Sequence, residues 1–396
     1  MERRKFLQTA GGAAAYLSLG SQAHGMQSES YSELNYHTIE KVITKKVRMY
    51  YPRFVSKNSR SGTHGWGTDD AICEIVTDQG ARGWGVPSWK TSENDVKDYL
   101  IGKKVTDVFD PNTGITDQKL GFCDIALHDL SGVILNKPVY EVLGVTKPEL
   151  FKCYSGMIYF DEMTPFFNRP LGMDQILREC EFDRAIGYRQ LKIKIGRGNK
   201  FMSKVAGIQR DIEVTKLVGK SFPDCEILVD GNDGYTVDEL KQYLDGIGNT
   251  ELFWIEEPFR ETVQDYKELN KFLKERNIKT LLADGEASPV DDELLSRLEE
   301  MKLLDVRLTD IQDIGFTGWR KLMPRLKKSN TLASPHAWGS QLKTNVISHL
   351  TGAYGNTATI EGVTCISDDV DLGNYQLTDG KLIPSGAPGF GMKLLI

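Results

Sequence analysis

Two signatures of common protein classes are missing from this chain of 396 residues. Its six cysteines form no C-x-x-C pair, so a zinc cluster or a redox motif is not expected. The 49 basic residues nearly balance the 55 acidic ones, and there is no basic block. Neither nucleic acid nor an anionic membrane surface is therefore an expected partner.

Long apolar runs are also missing, whereas a membrane-spanning helix needs about 20 apolar residues in succession. Hydrophobic residues still make up 40% of the chain, which is enough to build a large core. At roughly 100–200 residues per domain, the length predicts two domains or one large α/β barrel with an appendage.

The first 25 residues differ from the rest of the chain. Arg3 and Arg4 precede a short, weakly apolar stretch rich in Gly and Ala, which ends near the small residue Ala23. This order is typical of a secretory signal peptide, and paired arginines are typical of the twin-arginine type. We expect residues 1–25 to be a signal peptide and the protein to be periplasmic or otherwise exported, without membrane insertion after signal removal. The alternative is a frayed amino-terminal helix on a cytoplasmic protein.

Residues 26–149 are expected to form an α+β capping domain. A β-rich run over 71–77, a turn at Asp78-Gln79-Gly80 and a second run over 81–86 predict an antiparallel hairpin. Residues 115–144 carry apolar positions at helical spacing.

From residue 150 to 370, short apolar runs alternate with polar, helix-like segments. Alternation of this kind predicts a parallel sheet, and eight runs predict a (β/α)7β barrel of TIM type. The tail, 371–396, is rich in Gly and Pro and is expected to return to the capping domain. The eight runs are Phe151–Tyr159, Gln190–Ile195, Glu226–Asp230, Leu252–Glu256, Thr280–Ala283, Leu303–Leu308, Thr331–Ser334 and Thr359–Val363.

Ionisable side chains occur at the ends of seven consecutive runs. In such barrels, active sites lie at the carboxyl ends of the strands. A single charged residue at a strand end is usually a cap or turn residue, but chance does not explain a complete series, because buried charges are costly unless they are paired or bind a metal. The series is Lys192 with Lys194, Asp230, Glu256, Glu286, Asp310, His336 and Glu361.

The residue types indicate the chemistry. Asp230, Glu256 and Glu286 are hard oxygen ligands on adjacent strands, which suit one Mg²⁺ per subunit. A carboxylate substrate would complete the coordination, and the metal would stabilise an enediolate. Lys194 and His336 are predicted to exchange protons with the alpha carbon from opposite faces.

Three further side chains are expected to assist. Lys192 would supply positive charge next to Lys194, and Asp310 would orient His336 by a hydrogen bond. Glu361 would hydrogen-bond the substrate carboxylate if it is protonated, or otherwise help to place a ligand.

The motifs in this order resemble the mandelate racemase/muconate lactonizing enzyme branch of the enolase superfamily. The resemblance covers nearly all of the chain after the signal, through DIALHDLSGVILNKPVYEVLG, KIKIG, VDGN, WIEEP, DGE and PGFGMKL. It implies that Lys194 is the acid/base with Lys192 as its electrostatic partner, and that Asp310 and His336 form the dyad of the racemase and sugar-acid dehydratase subgroups. It also implies that Asp230, Glu256 and Glu286 are the metal ligands. Glu361 corresponds to the glutamate that the family carries on the last strand.

The sequence departs from the family pattern in two places near the site. Where the family has a double glycine after the sixth strand, this chain has Gly315-Phe316 and one residue fewer, in the segment that follows Asp310. Asp233 is an extra carboxylate next to the first ligand.

Loops of the first domain choose the substrate in this family, and the segment 50–66 is the candidate lid. From it we expect Arg53, His64 and Trp66 to bind substrate, together with Asn232 beside the first metal ligand. A solvated loop is the alternative.

The leading hypothesis is dehydration of an aldonate or aldarate. Racemisation or epimerisation would need the same two bases, and a cycloisomerase would use an internal oxygen. A non-catalytic exported binding protein is the alternative of another class, but it would not need the proton-transfer residues. We expect a small-molecule carboxylate substrate and a homo-oligomer.

Overall fold

The computed structural model describes residues 31–166, 169–286 and 290–396. The predicted signal peptide lies outside the described residues. Within the described part of the chain, no helix combines the length and apolarity that a membrane crossing requires.

The amino-terminal part is a cap built on a three-stranded antiparallel sheet. The predicted hairpin is present, with Val76 opposite Arg82 and a turn at Gly80. A Cβ at Gly83 would overlap the backbone of Leu130, so the glycine lets a helix pack directly on the sheet. The strands are β1 (Ile39–Val55), β2 (Gly65–Thr77) and β3 (Arg82–Gly85), with the short pair β4 (Phe109–Asp110) and β5 (Gly114–Ile115).

Short helices complete the cap. The predicted helical segment 115–144 contains two α-helices and a preceding 3₁₀ turn. The buried face of the longer helix joins the sheet in one apolar core. The cap helices are α1 (Glu93–Leu100), α2 (Val105–Val108), α3 (Asp124–Ile134) and α4 (Val139–Val142), with 3₁₀ helices at Ser32–Tyr36 and Gln118–Cys123.

Eight parallel strands form the barrel, as the sequence predicts, one in each apolar run. Their cores are almost continuously buried, because helices cover the outer face and side chains fill the inside. A bridge between Ala333 and Thr357 closes the ring between the last two strands. The barrel strands are β6 (Cys153–Ile158), β9 (Gln190–Lys194), β10 (Glu226–Asp230), β11 (Trp254–Glu256), β12 (Leu281–Asp284), β13 (Val306–Arg307), β14 (Leu332–Ala333) and β15 (Ile360–Gly362), and the pair β7 (Pro165–Phe166) and β8 (Arg169–Pro170) lies after the first.

Seven helices connect these strands, which gives the predicted (β/α)7β order. Most begin with a side-chain cap; Thr236 and Glu239, for example, form a capping box. The helices are α5 (Met173–Ala185), α6 (Lys204–Ser221), α7 (Val237–Ile247), α8 (Val263–Glu275), α9 (Asp292–Glu300), α10 (Ile311–Ser329) and α11 (Gln341–Tyr354).

The tail leaves the barrel and returns to the cap, as expected. The amide of Phe390 donates to Asp129 on α3 (2.7 Å), and the amide of Val139 donates to Gly389 (2.9 Å). The cap is therefore built from both ends of the chain. The tail strands are β16 (Val370–Asp371), β17 (Gln376–Thr378), β18 (Lys381–Ile383) and β19 (Lys393–Leu394).

His349 makes the native state sensitive to acid. It is completely buried on α11, next to Tyr375, and burial lowers its pKa to about 3. A histidine in the unfolded chain has a pKa of about 6.5. Between that pH and the lower pKa of buried His349, the unfolded chain binds a proton at this residue and the native state does not. The free energy of unfolding should therefore fall by about 2 kcal/mol between pH 7 and pH 5 on account of this group.

Urea unfolding of wild type and His349→Gln at the two pH values checks this expectation. The variant should lose less stability on acidification than wild type. His37→Gln is the control, since His37 is partly exposed and hydrogen-bonded to Thr77 (2.9 Å). Equal losses in wild type and His349→Gln would contradict the assignment.

Candidate active site

Three carboxylates meet at the carboxyl ends of neighbouring strands. Asp230 ends β10, Glu256 ends β11, and Glu286 follows β12 after one glycine. Asp230 and Glu256 are partners in the ladder between their strands. One oxygen from each of the three side chains lies within 4.8 Å of the other two.

This triad fits a divalent cation. Asp230 and Glu256 are fully buried, and Oε2 of Glu256 has no hydrogen-bond partner among the described residues. Burial and the neighbouring charge of Asp230 raise the pKa of Glu256 well above its usual value. A cation would offset this repulsion, and a ligand set made only of oxygens suits Mg²⁺.

Two lysines of β9 border the triad on one side. The strand alternates, so Lys192 and Lys194 share the inward face. Nζ of Lys192 donates to Glu256 Oε1 (2.9 Å) and to Glu361 Oε1 (3.0 Å). Nζ of Lys194, the ladder partner of Asp230, is hydrogen-bonded to that carboxylate.

His336 borders the triad on the other side. Its Nε2 lies 3.3 Å from Glu286 and 3.4 Å from Glu361, and its Nδ1 lies 2.7 Å from Asp310 Oδ2. Burial favours the neutral ring, but Glu286, Glu361 and Asp310 raise the pKa of His336 above its usual value. The imidazolium is thus favoured, with Nε2 directed into the site.

Asp310 holds its position through the start of α10. Its Oδ1 accepts from the amide of Gln312 (2.7 Å), which makes it the cap of that helix. Burial alone would raise the pKa of Asp310, but Lys343 and His336 hold it below its usual value. The structure therefore pairs an ionised Asp310 with His336, despite the irregular sequence at Gly315, where α10 is kinked.

Glu361 is ionised in this arrangement. Its Oε2 accepts from the amide of Ala337 (2.8 Å), and although burial opposes ionisation, Lys192 and His336 hold its pKa well below the usual range. Of the two expected roles, the geometry favours placement of charged groups over donation of a proton to the substrate.

The loop from Ser56 to His64 lies over the barrel mouth. Oγ of Ser59 donates to the carbonyl oxygens of Gly231 (2.6 Å) and Asn232 (3.0 Å). Arg60 forms an ion pair with Asp233, so this extra carboxylate belongs to the loop contact and not to the triad.

Two of the predicted substrate-binding residues face the mouth with unused polar atoms. His64 packs against Tyr159 and Trp338, with ring centroids 4.9 and 5.2 Å away, and its buried Nε2 has no hydrogen-bond partner in the part of the chain that the structure describes. Burial, with a smaller contribution from Lys194, lowers the pKa of His64 to about 4, so its ring is neutral. The buried Oδ1 of Asn232 likewise accepts no hydrogen bond from any described residue.

Arg53 and Trp66, the other two predicted substrate-binding residues, have different surroundings. Arg53 donates to both oxygens of Asp183 (2.6 and 2.7 Å) on α5, so the geometry favours a structural role, joining cap to barrel, over the predicted contact with substrate. The Trp66 side chain is 61% exposed and packs on Phe54.

Sequence reasoning missed one charged residue near the dyad. Nζ of Lys343, on α11, lies 3.2 Å from Asp310 Oδ2 and is buried. The only sequence signal is a lysine within the apolar pattern that follows His336.

Comparisons with known proteins identify the family of this chain. A family model described as enolase C-terminal domain-like matches residues 175–395, more than half of the chain. An o-succinylbenzoate synthase of Bacillus subtilis is 23% identical, over 82% of this chain and 86% of its own. An arabinonate dehydratase of Saccharolobus solfataricus is 24% identical, over 70% of each chain.

Solved structures extend the likeness. A galacturonate dehydratase from a Geobacillus species, complexed with D-galacturonate, has a TM-score of 0.84 at 26% identity and covers 91% of this chain and 95% of that one. A mandelate racemase/muconate lactonizing protein of the same genus, complexed with magnesium and tartrate, has the same score and identity, with 91% and 93% coverage.

Fold, site and relatives together define an enzyme of lyase or isomerase type, in which a barrel rim carries three carboxylates between a lysine and a histidine. The chain belongs to the enolase superfamily, in its mandelate racemase/muconate lactonizing enzyme branch.

Proposed function

We propose that this enzyme dehydrates a polyhydroxylated sugar acid with the help of one Mg²⁺ ion. The observation that carries the proposal is the position of Lys194 and His336 at the two ends of the triad, one at Asp230 and the other at Glu286. The dehydratases among its relatives, which act on arabinonate and galacturonate, support a substrate of this class.

Asp230, Glu256 and Glu286 would hold the magnesium ion, which when bound supplies positive charge to offset the negative charge that develops on the substrate carboxylate. Lys194 is assigned as the base that removes the proton from C2. Its Nζ is hydrogen-bonded to Asp230, so the amine lies next to the position where the substrate carboxylate would be held.

His336 is assigned as the acid. Its Nδ1–H donates to ionised Asp310, and the raised pKa of His336 favours the imidazolium, in which Nε2 also carries a proton, directed into the site. Loss of the C2 proton moves the C2–H electron pair into the substrate carboxylate and gives an enediolate. The pair then forms the C2–C3 double bond as the C3–O bond breaks, and Nε2 gives its proton to the departing hydroxyl, which leaves as water. The resulting enol loses its hydroxyl proton and gains a proton at C3 from solvent, which gives the 2-keto-3-deoxy acid.

A panel of aldonic, aldaric and uronic acids, each supplied with Mg²⁺, tests the proposal. We expect one of them to give a product with a keto group alpha to the carboxylate and a deoxy carbon beta to it, measured as a semicarbazone, with no product from Lys194→Ala. If no acid in the panel gives a keto product or exchanges its alpha proton in heavy water, the proposal is wrong.

The same two-base arrangement favours epimerisation as the second candidate. An epimerase would move the C2 proton from one face to the other without loss of water. In heavy water, an epimerase would give sugar acid that carries deuterium at C2 in both configurations. It would give no keto product.

We also propose that residues 1–25 direct export through the twin-arginine route. Replacing Arg3 and Arg4 with lysine should leave the precursor in the cytoplasm, since this route reads the arginine pair. Cell fractionation and the molecular mass of the protein provide the measurement. Normal processing of the lysine variant would contradict the proposal.

A further inference from the structure

Lys343 lies behind the Asp310–His336 dyad, away from the triad. It is the third residue of α11, and its side chain is only 4% exposed. Its Nζ lies 3.2 Å from Asp310 Oδ2, the same oxygen that is 2.7 Å from Nδ1 of His336. A lysine is rarely buried this deeply unless it is paired, so Asp310 is the partner that keeps it there.

Residues of the cap also contact Lys343. Nζ of Lys343 lies 5.5 Å from the ring centroid of Trp89, a residue of the segment that follows β3. The carboxylate of Asp70, on β2, also interacts with Lys343. Lys343 is therefore between the cap and the dyad.

The same cap segment also holds the first turn of α10. The amide of Trp89 donates to the carbonyl of Gln312 (3.0 Å), and Nε2 of Gln312 donates to the carbonyl of Pro87 (2.9 Å). Because Asp310 caps this helix through the amide of Gln312, the cap fixes both the backbone and the carboxylate of Asp310.

We propose that Lys343 is a positioning residue, which couples the position of the cap to the orientation of Asp310 and thereby to the hydrogen bond that Nδ1–H of His336 donates to Asp310. Two donors share one carboxylate oxygen, so its rotation is restricted from two directions. Without Lys343 the carboxylate could turn away, and the imidazole would lose the hydrogen bond that directs Nε2 to the substrate.

A purely structural role, in which the ion pair only joins α10 to α11, predicts different results. It would change thermal stability and leave the dyad unaffected. The proton between His336 Nδ1 and Asp310 separates the two roles, because a short hydrogen bond of this kind gives a strongly downfield proton NMR signal. The signal is assigned by its loss in His336→Asn.

Three variants form the test. Lys343→Met keeps the length of the side chain without its charge, and Lys343→Arg restores a donor. Lys90→Met is the matched control, since it removes an ion pair between cap and α10 (Lys90 to Asp313, 3.1 Å) that does not involve Asp310. We expect the downfield signal to shift or broaden in Lys343→Met, to recover in part in Lys343→Arg and to stay unchanged in Lys90→Met.

The kinetic measurement rests on the proposed function, whereas the NMR measurement needs no substrate. The role of Lys343 can therefore be contradicted without contradicting the dehydratase function, and the reverse also holds. With the correct sugar acid, kcat of Lys343→Met should fall by about 10–100-fold with little change in KM, as is typical when a second-layer partner is removed. If Lys343→Met does not fold, Trp89→Ala provides the same comparison from the cap side. An unchanged signal in Lys343→Met, or in Trp89→Ala in its place, would overturn the proposal.

Discussion

Replacing Glu256 with glutamine should abolish turnover and weaken Mg²⁺ binding by at least about 10–100-fold. Loss of a residue that only supports a metal ligand already costs that much, and Glu256 is expected to be a ligand itself. The change removes one charge and almost no volume from a side chain that is completely buried. Lys192 loses the carboxylate 2.9 Å from its Nζ, so an excess positive charge then stands next to the metal site.

Calorimetric titration with Mg²⁺, followed by turnover measurements with the identified acid, checks this prediction. Asp233→Asn is the matched control, because Asp233 lies close to the triad in sequence but forms an ion pair with Arg60. We expect the control to bind Mg²⁺ like wild type. Unchanged Mg²⁺ affinity in Glu256→Gln would exclude Glu256 as a ligand.

Lys194→Ala and His336→Asn should each lose turnover by about 10²–10⁴-fold, the usual contribution of a general acid or base, and by more if the group is essential. Strands β9 and β14 lie apart in the ring, with four strands between them on one side and two on the other. A substrate bound at the triad therefore presents its alpha carbon between the two side chains.

Proton exchange in heavy water distinguishes the two roles. His336→Asn should still exchange the alpha proton, because Lys194 remains as base, whereas Lys194→Ala should not. Lys204→Ala and His37→Gln are suitable controls, since both residues lie outside the site, paired with Glu239 and Thr77. If both site variants turn over a verified substrate at nearly the normal rate, the two residues do not transfer the protons.

The barrel was readable from the sequence because its signals are local. A strand buried on both faces must be apolar over its whole length, so each one stands out as a short run between polar helices. The carboxyl ends of parallel strands meet at one rim, so the charged residues that end the runs could be grouped before any distance was known.

The surroundings of the dyad were not readable in the same way. Asp310 and Lys343 are 33 positions apart, and nothing local shows that a lysine on one helix reaches the aspartate that caps another. Arg53 shows the opposite error, in which a structural residue was predicted to bind substrate. A cationic side chain on a lid segment suits a carboxylate substrate, but the structure pairs it with Asp183. Long-range pairs of this kind depend on how the cap is seated, which local patterns do not encode.

The tail that completes the cap has a consequence for synthesis. Asp129 is buried on α3, and its two oxygens accept from the amides of Trp84 and Phe390, which are far apart in the chain. Although domains usually fold as they leave the ribosome, this cap lacks one of its inner donors until Phe390 has been made. We therefore expect that removal of residues 371–396 would leave one oxygen of buried Asp129 without its amide donor and would destabilise the cap.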